Sequence, residues 1–417
     1  MAASRTASVA EFPTIQSRPR SLWNPSEAGD SFLRETKGPV IRRRFKNQRL
    51  VGPYDKPWLE VKDPRASFPN IIFWSGMVIS CLIGGFIIWR NYDSVPKTEF
   101  CLSFEDNFET LDLNNWRREV QVGGFGTGSF DWTTTDDRNS YVDEQGLHIV
   151  PTLTTHDTNI TPDQLFDGYT LNLTRDGSCT APKSTPNLNL TCTAVSNYTS
   201  GATIPPVRSA RLSTEGKHSI RYGRVEVVAK IGKGDWYWPA IWMMPEMGGA
   251  YGPWPASGEI DLAEFRGNNP KYYGEGGRDA VQSTIHWGPN KLHNRFWQTT
   301  AKLFQWKFPR GSTMWTRGGF QNILDGGGNR LADPWSQTGR ASTPFDQKFF
   351  LILNVAVGGT NGYFLDGTGG KSWTDYSNTN VREFALANTT WYPTWDMKDG
   401  GMVVRSVKMW NLGKCPS

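Results

Sequence analysis

Three carboxylates fall within six residues, in the stretch Gly258-Glu259-Ile260-Asp261-Leu262-Ala263-Glu264-Phe265. Crowded acids in an apolar setting point to glycoside chemistry, because retaining cleavage needs two carboxyl groups about 5–5.5 Å apart. One attacks the anomeric carbon and the other protonates the departing oxygen. An acid placed between them can share a proton with the attacking group, and like charges in close company raise at least one pKa toward the range a general acid needs. On this reading Glu259 is the nucleophile, Asp261 its electrostatic helper and Glu264 the acid/base. In a regular strand Glu259 and Asp261 share a face and Glu264 takes the other. A one-residue bulge between Asp261 and Glu264 returns all three to one side. A helix offers no such solution, since Glu259 and Glu264 would lie about 140° apart.

The neighbouring residues suit a sugar ligand. Upstream, GDWYWPAIWMMP presents Trp236, Trp238 and Trp242, and Trp254 stands in the loop that enters the acidic segment. Aromatic faces stack on the apolar faces of pyranose rings, so these four are candidates to line a groove, although any one of them also suits a core. His286, in STIHWGP, can reach the same groove from a neighbouring strand or serve as a satisfied structural histidine. The five histidines and five cysteines show no metal-ligand spacing, so no metal is expected.

The elements that must hold these residues read as β. Alternating or apolar runs such as YVDEQGLHIV, YGRVEVVAKI, VQSTIHW and FFLILNVAV are separated by Gly, Pro and Asn. Without the interleaved helices that a parallel sheet requires, they predict an all-β antiparallel sandwich. The region from about Thr154 to Pro206 reads as an insertion, rich in Thr, Asn and Pro.

Residues Ile71–Trp89 carry no charge, and as a helix they would span roughly 28 Å, close to the hydrocarbon thickness of a bilayer. Of the chain's net charge of +5, about +6 lies before this segment, so the N-terminal side is expected to be cytoplasmic. The expected organisation is a disordered basic tail over residues 1–67, a transmembrane helix over 68–90 and a luminal or extracellular domain over 91–417. That domain is near neutral, which excludes nucleic acid as a partner and leaves the lipid bilayer for the anchor and a neutral polymer for the groove. Four cysteines follow the span, an even number suited to two disulfides in an oxidising compartment. Three pairings are open; the one adopted joins Cys179 to Cys192 across a short loop and Cys101 to Cys415 across the domain's ends. Glycosylation sequons at Asn159, Asn172, Asn189, Asn197 and Asn388 all lie beyond the span, in keeping with a type II topology.

At these residues the sequence resembles glycoside hydrolase family 16, in particular its laminarinase-like and fungal wall-assembly branches. The stretches that carry the resemblance are RSARLSTEGKHSIRYGRVEVVAKIGKGDWYWPAIWMMP, WPASGEIDLAEFRGN, IHWGP and PFDQKFFLILNVAVGGTNG. The resemblance implies a jelly-roll, concanavalin-like sandwich, retaining action on β-1,3-containing glucans, and the roles given above to Glu259, Asp261 and Glu264; no cofactor is expected, since the chain shows no clear calcium-ligand loop. It also implies that Trp238, Trp242 and Arg211 meet sugar. A basic tail, one anchor and such a domain together are similar to fungal type II membrane proteins of wall glucan assembly. The chain departs from the family pattern between Phe304 and Gln305, where relatives carry further strands. That loss is expected to expose a sheet edge or narrow the groove. Hydrolysis and transfer share one glycosyl-enzyme intermediate, so sequence leaves both open, together with a non-catalytic glucan-binding role.

Overall fold

The computed structural model describes residues 51–415 apart from 61–63, 66, 95–97, 184, 186, 272–275, 301–312 and 397–399. The basic cluster of the expected tail and the Phe304–Gln305 junction lie outside the described residues. The chain divides into two compact units, Met1–Val95 and Pro96–Ser417. In the first, Pro57–Glu60 forms one helical turn within the segment expected to lack structure. The apolar run forms helix α1, Phe68–Asp93, three residues longer than the expected span. Its best window has a mean hydropathy of 2.3 and no buried residue, so by length and composition it can cross a membrane.

The second unit is built mostly from antiparallel sheets, with a parallel pair between Asp131–Thr133 and Val207–Ser209. Its principal strands are β1 (Phe100–Asp106), β2 (Arg117–Arg118), β3 (Ser140–Asp143), β4 (Gly146–Ile149), β5 (Arg211–Ser213) and β6 (Gly223–Ile231). They are followed by β7 (Tyr237–Pro245), β8 (Glu259–Phe265), β9 (Val281–His286), β10 (Phe349–Val357) and β11 (Met402–Leu412). One sheet runs β1-β11-β4-β3 with β6 also paired to β11. The other runs β9-β8-β7-β10-β5-β2, with Ser219–Ile220 beside β10. The core lies between them: Leu147, Met402, Val407 and Met409 of the first sheet share one apolar cluster with Leu212, Ile241, Leu351 and Leu353 of the second. Burial of such side chains stabilises the sandwich by about 1.5–3 kcal/mol each.

Strand period explains which residues remain for the opposite face. In β10, Leu351, Leu353, Val355 and Val357 enter the core, while Asn354 and Ala356 line a cleft on the other side. In β7, Ile241 and Met243 go inward and Trp238, Ala240 and Trp242 go to the cleft. The insertion forms a second apolar cluster around Leu165, Leu171, Leu173, Cys192 and Ile204. Cys179 is bonded to Cys192 within it, and Cys101 to Cys415 across the ends of the domain, the pairing adopted from sequence. Asn159, Asn189, Asn197 and Asn388 are exposed and Asn172 is half-buried. Strand β9 ends the sheet among the described residues. Its outer flank is partly covered by the following loop, where the Thr299 hydroxyl donates to the Ile285 carbonyl at 2.7 Å.

Candidate active site

Strand β8 carries the acids, and its entry is fixed by Gly258. The φ of +79° there is a conformation that side chains rarely adopt, and a Cβ would press to 2.8 Å from the Phe345 ring. Along β8 the register to β7 pairs Trp242 with Asp261 but Ile241 with Ala263, so Leu262 is the extra residue. Toward β9 the register likewise shifts between Asp261 and Glu264. The bulge places Ile260, Leu262 and Ala263 against the core and turns Glu259, Asp261 and Glu264 into one cleft.

Across that cleft the acids have distinct partners. Trp254 Nε1 donates to Glu259 Oε2 at 2.6 Å. Trp238 Nε1 donates to Glu264 Oε1 at 3.0 Å. Asp261 is hydrogen-bonded to Glu259, and burial, followed by the Glu259 and Glu264 charges, holds its carboxyl well above the usual range. Burial also pushes Glu264 up to about 7; the Trp238 N–H opposes that rise and the Glu259 charge adds to it. A carboxyl raised in this way keeps its proton to near neutral pH and is able to give it to an oxygen.

The remaining expected residues are placed as follows. Trp242 lines the cleft and donates from Nε1 to Asn354 Oδ1 at 2.7 Å. The Arg211 guanidinium lies between Phe125, at 4.0 Å, and Trp242, at 4.7 Å, and is hydrogen-bonded to Glu119. It therefore lines the cleft as part of a buried ion pair made through Nε. Trp238 also lines the cleft, but its ring is stacked on Tyr363 with centroids 4.2 Å apart. Its indole therefore holds Glu264 and Tyr363, and only part of it is open to a sugar.

Trp236 corrects the expectation. It lies in the core against Phe364 and Trp373. Its φ of +70° takes it out of the strand alternation that would have set it beside Trp238. His286 does reach the acids, with Nε2 at 3.3 Å from Asp261 Oδ2. Donor atoms of Glu259, Asp261 and His286 lie within 4.8 Å of one another, a grouping that could hold a cation. Linear spacing did not reveal it because it is assembled across β8 and β9. A cation is nevertheless poorly served, since the two carboxyls already share a hydrogen bond and the imidazole faces Asp261.

Sequence reasoning missed Asp131 and Asn354, which line the same cleft. Burial pushes Asp131 up to about 6 against the lowering effect of the Val357 N–H. Asn354 could have been found, because it is the single polar residue in the apolar run FFLILNVAV. Asp131, in SFDWTT, stands in a short strand with no periodic signal.

The sequence model described as Glycosyl hydrolases family 16 matches residues 128–378. A β-1,3-glucan-binding protein of Penaeus monodon is 36% identical over 345 residues, covering 75% of this chain and 90% of that protein. A β-glucanase of Rhodothermus marinus is 37% identical over 172 residues, covering 37% of this chain and 54% of that protein. Among solved structures, the laminarinase from Rhodothermus marinus is similar at 23% identity and a TM-score of 0.42, over 76% of this chain and 100% of that one.

Proposed function

The chain belongs to glycosyl hydrolases family 16, and from that premise we propose that it is a membrane-anchored retaining enzyme acting on β-1,3-containing glucan in fungal cell-wall assembly or remodelling. The observation that carries this reading is the bulge in β8, which aims three acids into one cleft. The ionised Glu259 attacks the anomeric carbon while Glu264 passes its proton to the departing glycosidic oxygen, leaving a glycosyl ester on Glu259. Glu264, now a carboxylate, then takes a proton from water or from a sugar hydroxyl. That oxygen displaces Glu259, so water yields hydrolysis and sugar yields transfer. Asp261 and Trp254 hold Glu259 by hydrogen bonds, and Trp242 offers an aromatic face beside Arg211 for a pyranose ring.

The anchor reading is supported by the unburied apolar α1. Two disulfides suit an oxidising lumen or exterior, and the five sequons are proposed as glycan sites. With the tail inside, the chain is a single-pass type II protein of the secretory pathway or plasma membrane.

A second reading, glucan binding without turnover, is favoured by the relative from Penaeus monodon, which is described as a binding protein. Incubating the protein and its Glu259→Gln variant with laminarin separates the two. New reducing ends or altered chain lengths from the wild type alone support the enzyme. Glucan bound equally by both proteins, with neither altering it, would establish the binding reading instead.

A further inference from the structure

We propose that Asn294 is a positioning residue that fixes the direction of a hydrogen-bond chain running through His286 and Asp261 into Glu259. This deepens the enzymatic reading above and rests on it. The direction follows from donors that have no choice. The backbone N–H of Trp287 can only donate, and it meets the side-chain carbonyl oxygen of Asn294 at 3.3 Å. Were the amide turned over, its NH2 would face that N–H as a second donor. The NH2 group is thereby left to face His286 Nδ1, at 2.7 Å.

Nδ1 must therefore accept, and in the neutral ring the proton resides on Nε2. Nε2–H faces Asp261 Oδ2 at 3.3 Å. That oxygen is buried and is left without a hydrogen-bond partner, so the Nε2 contact is the approach by which the proposed chain reaches Asp261. In the proposed chain, with Nε2–H facing Oδ2, the hydrogen that Asp261 shares with Glu259 is carried on Oδ1. Every donor thus points the same way, from Trp287 to Glu259. Asn294 is itself buried, and the imidazole is held between Phe296, stacked at 5.3 Å, and Trp254, at 5.6 Å.

The consequence falls on Glu259, which receives Asp261 Oδ1–H on one side and Trp254 Nε1–H on the other. Both bonds are donated to Glu259, the group that must depart from the glycosyl ester in the second step. Asn294 touches no substrate and acts only through His286.

Full-length protein in lipid nanodiscs, labelled with 15N only at histidine, tests the direction by imidazole 15N shifts, which distinguish a protonated from an unprotonated nitrogen. The chain has five histidines, and His286 is assigned by the signal lost in His286→Gln. The wild type is expected to show Nε2 protonated and Nδ1 bare. Asn294→Asp presents a second acceptor to Nδ1 and is expected to protonate it. On laminarin the same variant should lose kcat by on the order of tenfold with KM little changed. A wild type protonated on Nδ1, or an Asn294→Asp protein with the wild-type shifts, overturns the proposal. The shifts do not depend on turnover, so an inactive wild type with Nε2 protonated would refute the enzymatic reading while supporting this hydrogen-bond direction.

Discussion

On the β5 side of the cleft the buried Glu119 carboxylate is matched by the Arg211 guanidinium, itself held between two aromatic rings. On the β8 side Asp261 and Glu264 are equally hidden from water, but the charges that act on them most are those of other carboxylates. The first arrangement offsets the desolvation of both ions by pairing and hydrogen bonding. The second leaves desolvation to act on the acids, and the outcome is a raised pKa and a mobile proton. Two clusters of similar burial on one face therefore separate into a structural pair and a reactive trio, and the difference lies in the partner supplied.

Substitutions at the two clusters should separate them further. Replacing Glu264 by Gln removes the proton donor while keeping its shape, and turnover of laminarin should fall by about 10²–10⁴-fold. Replacing Arg211 by Met leaves Glu119 buried without its cation, and denaturant unfolding should show a loss of about 3–5 kcal/mol. An Arg211→Met protein as stable as the wild type would erase the distinction drawn here.

Glu264→Gln should act on stability in the opposite sense. The carboxyl rises from 4.5 to about 7 on folding, so its stabilising contribution is complete below pH 4.5 and is lost as pH climbs through 7. Between pH 4 and pH 8 the variant should therefore gain about 3 kcal/mol relative to wild type. Equal pH dependence in both proteins would show that Glu264 is not desolvated. The smallest effect is the alkaline limb of the wild-type rate profile. Because the acid must be protonated to act, kcat/KM should decline through about pH 7, roughly tenfold per unit beyond it. A profile flat to pH 9 would place the acid elsewhere.

Much of this contrast was legible in the sequence. The requirement that Glu259, Asp261 and Glu264 share a face demanded a bulge, and Leu262 supplies it. The aromatic run also put forward Trp238 and Trp242, which line the cleft from the regular part of β7. It failed at Trp236, one residue before the strand, where a left-handed backbone breaks the period. The partners of Arg211 were not legible either, because Glu119 is 92 residues away and pairing at such distance has no local signature. The same holds for Asn294, whose role depends on a neighbouring backbone N–H and one imidazole nitrogen.

The central claim is that Glu259 and Glu264 act on opposite sides of one scissile bond through a glycosyl ester. It is tested most directly by the anomeric form of the first product. Laminari-oligosaccharides digested by the wild-type protein and followed by 1H NMR should show the β-anomer appear first, with the α-anomer rising later by mutarotation. Initial release of the α-anomer would mean direct attack by water and would contradict the account.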